Sequence, residues 1–358
     1  MKIAVLGAGN GGCAVAADMC LRGNHDVVLI KTSNSMHNEN FKYLLENEGK
    51  IAIHENGETK STRIPKVTTD ISCLSDCEIV IVYIQTKYHE QLIERIIPYL
   101  QANQIVLFNP GYLSTAYMLK HGVRDDVIIA EAESSFIDCR IAEPGLIKAG
   151  FRNVRNPIGI YPNSRREEAI ERLNKIGFPF TYLSSVVEAA LHNPNLIVHT
   201  VGAVMSIPRI EKTKGEYCMY HEVFTPSVWR ILEQLDSEKM DVLEKLGFER
   251  LPYVEACKFR NSLDDERDAK EVFFWYAAMP TRAKGPVVVD SRYISEDVPQ
   301  GLVMLEALGK QMNIATPITT ALIEIASSAL GRDLRAEGRS PEKLGQDNIA
   351  KILADCAR

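Results

Sequence analysis

The sequence has no run of eighteen or more apolar residues, so nothing in it reads as a transmembrane helix. It also lacks an excess of positive charge. Lys and Arg number 41 against 47 Asp and Glu, for a net charge of −6, and a nucleic-acid binder would normally carry a basic domain or stripe. Eight cysteines are scattered without paired spacing, which suits reduced thiols acting as small buried hydrophobes. Cys73 and Cys77 lie close together, but no second pair or nearby histidine completes a zinc set, so no metal is expected. Internal repeats, low-complexity stretches and a long linker are absent too. The first strand begins at Lys2 and leaves no room for a signal peptide, so a cytoplasmic location is expected.

What remains is an ordinary globular composition, 46% apolar and 25% charged, in 358 residues. That length exceeds one ordinary core and suits two domains. Lys2-Ile3-Ala4-Val5-Leu6 is a short apolar run of the kind buried on both faces of a parallel sheet. It leads into Gly7-Ala8-Gly9-Asn10-Gly11-Gly12, then an apolar-periodic stretch over 13–21 closing near Gly23, then a second strand over 27–30. Further strands are expected over 78–84, 104–108 and 127–130, with a helix over 88–100. This alternation predicts an α/β fold with a doubly wound, mostly parallel sheet.

From about 134 to 184, short β-like pieces surround one helix near 165–175, and they are expected to complete the first domain in antiparallel fashion. After Ser185, whose side chain opens a capping box with Glu188, the pattern turns helical, with stretches over 196–205, 226–246, 298–312 and 316–330. The expected organisation is therefore a Rossmann domain over 1–184 and an all-α domain over 185–358, packed together around a shared cleft. An amphipathic helical domain permits a homodimer without demanding one.

The glycine spacing alone is common, but here it joins a buried strand to a helix inside one βαβ-length unit. Gly7 permits the tight turn, Gly9 admits a pyrophosphate, and Gly12 allows helix and strand to pack closely. The dinucleotide then meets the free N–H groups of Asn10 and Gly11 at the positive end of the helix. At the end of the second strand the chain reads Lys31-Thr32-Ser33, with no acid before Glu39. A lysine beside hydroxyls suits a ribose 2′-phosphate, so NADP(H) is the expected cofactor, with NAD(H) possible. Otherwise Lys31 is a solvated surface lysine.

Among eight histidines His192 stands out, because Pro194 should break the helix that carries it and leave a titratable ring beside freed backbone groups. The alternative is a hydrogen-bonded core histidine. Asp297 is either an orienting carboxylate for a histidine or an ordinary helix cap. Arg292 offers a planar fork to a substrate carboxylate, or else a surface salt bridge.

The glycine loop, Asn109-Pro110-Gly111, the run from Glu133-Ser134-Ser135 to Cys139-Arg140, His192-Asn193, and Arg292-Tyr293-x-x-Glu296-Asp297-Val298 follow one another in an order that resembles the opine dehydrogenase family, over nearly the whole chain. The resemblance implies NAD(P)H-dependent reductive condensation of an L-amino acid with a 2-keto acid such as pyruvate. It also implies an acid/base role for His192 paired with Asp297, and substrate contacts from Arg292, Ser135 and Arg140. Asn109, Pro110, Gly111 and Gln85 would face the cofactor. A bacterial member of the family carries an acid where this chain has Lys31, and the segment 84–89 around Gln85 is more polar than the family pattern leads one to expect. Ketopantoate reductases and glycerol-3-phosphate dehydrogenases share the build but work with a lysine on the helical domain, and no lysine lies between Lys175 and Lys212. A non-catalytic NADP-binding sensor would need the glycine loop alone.

Overall fold

The strand Lys2–Leu6 (β1) is buried along nearly its whole length, which requires neighbours on both edges. It has them: Asp26–Ile30 (β2) on one side and, three strands later in the chain, Ile79–Val82 (β6) on the other, both parallel to it. Val5 pairs with Leu29 and with Ile81, so three apolar side chains stack across the centre of the sheet. The computed structural model describes residues 1–280, 282 and 284–356. These form two compact units, Met1–Val186 and Val187–Cys356.

In the first unit Lys50–Glu55 (β3) and Glu58–Arg63 (β4) form a hairpin, followed by Lys66–Thr68 (β5). Beyond β6 come Ile105–Phe108 (β7), Ile128–Ala132 (β8), Ile137–Glu143 (β9), Leu146–Arg152 (β10), Asn156–Tyr161 (β11) and Phe180–Tyr182 (β12). The main sheet has the order β12-β11-β8-β7-β6-β1-β2-β5. The chain winds outward from β1 to one side and then returns to build the other. The carboxyl end of β1 is thus the point where the winding reverses and where such sheets open a crevice.

The expected parallel sheet is present, and β11 runs antiparallel to β8, between it and the edge strand β12. The expectation for the rest of 134–184 needs correcting. β9 and β10 leave the main sheet and join β3 and β4 in a second sheet of order β4-β3-β10-β9, and β12 lies parallel to β11. The helix Asn10–Arg22 has contacts with both sheets, which explains why every residue from Gly12 to Met19 is buried. Its one buried carboxylate, Asp18, is neutralised by Arg22 and by Arg152 of β10. Gly23 closes the helix in the left-handed region at φ 75, which glycine adopts without strain.

The second unit is helical around Pro194–Met205, whose residues Leu196 to Val204 are all buried. The helices Pro226–Lys245, Arg292–Ser295 and Pro317–Leu330 and the turn Val298–Leu302 pack against it. Pro194 does end the preceding helix, Val186–Leu191, and Asn193 caps the next by accepting from the N–H of Asn195 at 3.0 Å. The helix expected over 298–312 opens with a π-turn, Val298–Leu302. Such turns disturb the regular ladder and recur at functional sites.

Candidate active site

In the first unit, the residues expected at a dinucleotide follow the carboxyl ends of neighbouring strands. Gly7 follows β1 at φ +112, and a Cβ there would lie 2.2 Å from the carbonyl oxygen of Tyr83. A Cβ on Gly12 would lie 1.8 Å from the carbonyl oxygen of Gly7, and one on Gly11 would strike the Tyr83 ring at 2.7 Å. No side chain larger than hydrogen fits at these positions. Gly9, the helix cap, meets only the His37 ring, at 3.4 Å. The helix start has no side-chain cap and no acid in its first turn, so its N–H groups and positive dipole end suit an anion. Asn10 turns its side chain away and accepts from the N–H of Ile141 at 2.8 Å.

After β7, Asn109 is almost wholly buried, yet neither atom of its side-chain amide has a hydrogen-bond partner among the described residues. Buried amides are ordinarily satisfied, so this orphan beside the glycine loop's sheet edge fits a bound polar ligand. The peptide bond to Pro110 is cis. Gly111 is packed so closely that a Cβ would fall 1.9 Å from Oε2 of Glu131. Glu131 was not anticipated. Fully buried on β8, its carboxylate accepts from the N–H groups of Leu113 and Thr115, each at 2.7 Å, and from the Thr115 hydroxyl at 2.6 Å. Gln85 is half-buried after β6. Ser135 follows β8, donates to the Ile137 carbonyl at 2.9 Å and lies near Gly11. Arg140 sits exposed on β9, 3.7 Å from Asp138.

Lys31 differs from a solvated surface lysine. It is buried, donates to the Met36 carbonyl at 2.5 Å and lies over the Phe41 ring. Burial lowers its pKa. Thr32 is half-buried and Ser33 exposed, with the Ser33 and Ser35 hydroxyls 3.1 Å apart. Arg95, which the sequence reading overlooked, donates to the Thr32 carbonyl at 2.9 Å and adds a second cation beside this turn.

In the second unit the expected pairing of Asp297 with His192 is not formed. Asp297 Oδ2 stands 2.8 Å from Nδ1 of His199, on the central helix. Asp297 occupies a cap position but makes no capping bond. His192 is buried with an unpartnered Nδ1, and the charges that bear on it are Lys239 and Arg260. Burial first, then these two cations, hold its pKa well below the ordinary range. Lys239 itself is paired with Asp236 at 2.6 Å. The physical reason for the exchange is helix phase. The new helix begins at Asn193 and turns His199 toward the short helix Arg292–Ser295 and the π-turn.

His199 is buried, with Nδ1 committed to Asp297, and it has no other hydrogen bond among the described residues. The Tyr293 ring stacks on it at 3.9 Å between centroids, and the Tyr220 ring meets it edge-on at 6.5 Å. Burial lowers its pKa most; Asp297 opposes this, and Arg292 and Arg282 reinforce it. Arg292 is solvent-accessible and forms no ion pair among the described residues, so the surface salt bridge is not made. The surrounding protein disfavours its charge, but Glu296 and Asp297 outweigh that and push its pKa up. An imidazole, a buried carboxylate that fixes its tautomer and a nearby guanidinium are together an arrangement able to move a proton beside an anion.

His199 was missed because Pro194 drew attention to its neighbour. The available signal was an imidazole within an otherwise apolar helical stretch, which must find a buried partner.

Comparison with known proteins places both units. Residues 182–330 match the family described as NAD/NADP octopine/nopaline dehydrogenase, alpha-helical domain. Residues 3–130 match the ketopantoate reductase PanE/ApbA family. Opine dehydrogenase of Arthrobacter sp. (strain 1C) is 27% identical over 354 residues, covering 97% of this chain and 95% of its own. Octopine dehydrogenase, solved in complex with NADH and agmatine, superposes with a TM-score of 0.77 at 15% identity, covering 100% of this chain and 99% of its own. Yersinopine dehydrogenase with NADP+ bound gives 0.72 at 15% identity, over 99% and 98%. At these identities the two structures speak for the fold.

Proposed function

We propose that this chain, similar over nearly its whole length to an opine dehydrogenase, is an NAD(P)H-dependent oxidoreductase that joins an L-amino acid to a 2-keto acid and reduces the resulting imine to a secondary amine. The first unit binds the dinucleotide through Gly7 to Gly12 and the Asn109 to Gly111 turn. The second carries the chemistry. The observation that carries this reading is the bond between His199 Nδ1 and Asp297 Oδ2, with Arg292 beside it.

The amino nitrogen attacks the keto carbon, a C–N bond forms, and the former carbonyl oxygen leaves as water. His199, through Nε2, carries the two protons of the neutral amine in turn from the substrate nitrogen to the departing oxygen, and relays a proton from solvent to the nitrogen when the imine is reduced. Asp297 holds the ring in the tautomer that exposes Nε2 and stabilises its protonated form. Arg292 fixes a substrate carboxylate, which converts an encounter into an oriented attack. When bound, the nicotinamide supplies the hydride that reduces the C=N carbon.

Replacing His199 with Ala should lower kcat by roughly 10²- to 10⁴-fold while leaving dinucleotide affinity nearly intact, whereas His192→Gln should change kcat far less. NADPH oxidation with pyruvate and a panel of L-amino acids measures both. Survival of turnover in the His199 variant would remove the assigned proton donor. Tight NADPH binding without turnover of any substrate pair would favour a sensor, and turnover of the keto acid alone a simple reductase.

The turn formed by Lys31, Thr32 and Ser33 contains no acid to hold a ribose 2′-hydroxyl and has two cations, Lys31 and Arg95, at its base. We therefore assign a preference for NADPH. Its kcat/KM should exceed that with NADH, and Arg95→Ala together with Lys31→Ala should narrow the ratio. A wild-type ratio of one or below would end the assignment.

A further inference from the structure

The helix that follows Asp297 does not begin in the ordinary register. The Val303 N–H reaches back five residues to the Val298 carbonyl, so the turn Val298–Leu302 holds one residue more than an α-turn. An α-helix completes a turn in about 3.6 residues, and one extra residue therefore offsets the side chains before it by about 100° from those after it. Asp297 stands immediately before this insertion, and the helix Val303–Gln311 follows it. The extra residue thus sets the direction in which the Asp297 carboxylate leaves the backbone. That direction is toward Nδ1 of His199, 2.8 Å away. In an α-helical register the same carboxylate would be turned away from the ring.

A buried carbonyl that a π-turn passes over needs another donor. In an α-helix the Val303 N–H would serve Pro299. Here the buried Pro299 accepts instead from the backbone N–H of Arg339, at 2.9 Å. Arg339 follows the short helix Leu334–Glu337, and its fully buried side chain donates through Nε to Oε1 of Gln300, also on the π-turn, at 2.9 Å. Gly338 makes this approach possible. A Cβ there would lie 2.5 Å from the Pro299 carbonyl oxygen and 2.9 Å from Cβ of Val303. Arg335 forks onto both carboxylate oxygens of Glu306 at 2.9 Å, which ties the short helix to Val303–Gln311 as well.

We propose that the Gly338–Arg339 turn is a positioning clamp for the His199–Asp297 pair, which takes up the carbonyl bypassed by the π-turn and so keeps Asp297 aimed at His199. It rests on the proposed function for the reaction that the pair serves. Gly338, Arg339 and Gln300 are positioning residues that act through Asp297. Withdrawing the clamp lets the helix return to the α-register, in which the Val303 N–H goes back to Pro299 and Asp297 swings off Nδ1. The ring then keeps its enclosure and the nearby Arg292 and Arg282, with Tyr293 and Tyr220 against it. What it loses is the carboxylate that favours its protonated form. His199 therefore becomes harder to protonate.

Two variants of the full chain test the clamp. Gly338→Ala presses the turn away from Pro299, and Gln300→Leu replaces the acceptor of Arg339 Nε with an apolar group. With saturating NADPH, pyruvate and the L-amino acid turned over best, kcat should fall about ten-fold or more in Gly338→Ala and less in Gln300→Leu, while KM for NADPH stays near the wild-type value. If His199 works from its neutral form, the acid limb of the kcat/KM profile should move to lower pH in both. Partial unfolding alone would lower the rate and leave that limb in place, because the molecules still folded are unchanged. Titration of the His199 ring followed by NMR, its resonance identified by loss in His199→Gln, reads the same downward shift without turnover. Wild-type kcat in Gly338→Ala, or a ring titration unmoved or raised in the variants, would overturn the clamp. Should Gly338→Ala fail to fold, Gln300→Leu decides by the acid limb and the ring titration. Absence of turnover with every substrate pair, with the ring titration still lowered in the variants, would instead overturn the reaction proposed above and leave the clamp standing.

Discussion

Two histidines seven residues apart divide the titratable chemistry of the second unit, and their surroundings explain how. His192 is enclosed with Lys239 and Arg260 near it, so its charged form is disfavoured by both desolvation and like charge. His199 is also enclosed, but Asp297 accepts a bond from Nδ1 and offsets part of the same penalty. The second ring is therefore the easier of the two to protonate. Arg292 depresses the His199 pKa, so Arg292→Gln should raise it. If His199 works from its neutral form, the acid limb of the kcat/KM profile should move to higher pH in that variant, alongside a raised KM for the substrate carboxylate. A profile shifted to lower pH, or not shifted at all, would mean that the two groups do not communicate.

At the scale of elements, the helix starts are built for different tasks. Asn10–Arg22 begins with glycines whose missing side chains let backbone meet backbone, and its first turn stays uncapped. The Asn109 to Thr115 segment is instead organised by the buried Glu131 carboxylate, which collects two N–H groups and a hydroxyl. Tyr112 and Leu113 there adopt positive φ, 51 and 66, a conformation that side chains other than glycine tolerate only when surroundings impose it. Glu131→Gln would set an amide donor against those donors. It should destabilise the first unit by about 1–3 kcal/mol in urea unfolding and weaken dinucleotide binding measured by NADPH fluorescence. If affinity and stability both match the wild type, the carboxylate does not organise the turn.

For the whole molecule, the burial of His192 sets a pH dependence of stability. In the unfolded chain a histidine has its ordinary pKa of about 6.5, whereas in the folded protein the His192 pKa lies well below it. Below pH 6.5 the unfolded state therefore takes up a proton that the folded state refuses, and stability falls as the pH drops. The slope for one such group approaches ~1.4 kcal/mol per pH unit. His192→Gln should flatten the dependence of the denaturation midpoint between about pH 6.5 and 5. An equally steep fall in that variant would place the sensitive group elsewhere.

How much of this was legible follows from the range of each interaction. The strand, glycine loop and helix over residues 2–22 are dictated locally: an apolar run too short for a helix, glycines where any Cβ would clash, and apolar periodicity afterwards. The helix break at Pro194 is local as well, because proline removes a donor and constrains the residue before it. The hairpin of β3 and β4 was not legible, since β4 is a polar, exposed strand whose pairing is set by its partner and not by its own pattern. β10 read as a β-like piece but β9 did not, and the second sheet they join was not legible, because alternation does not name the neighbour. Asp297 was recognisable as one half of a pair; its partner was not. The chain alone determined that an imidazole and a carboxylate about a hundred residues apart were available. Only the packing of the helix that restarts at Asn193 decided that His199 turns its ring toward that carboxylate, because the phase of a helix is set by its cap and its neighbours together.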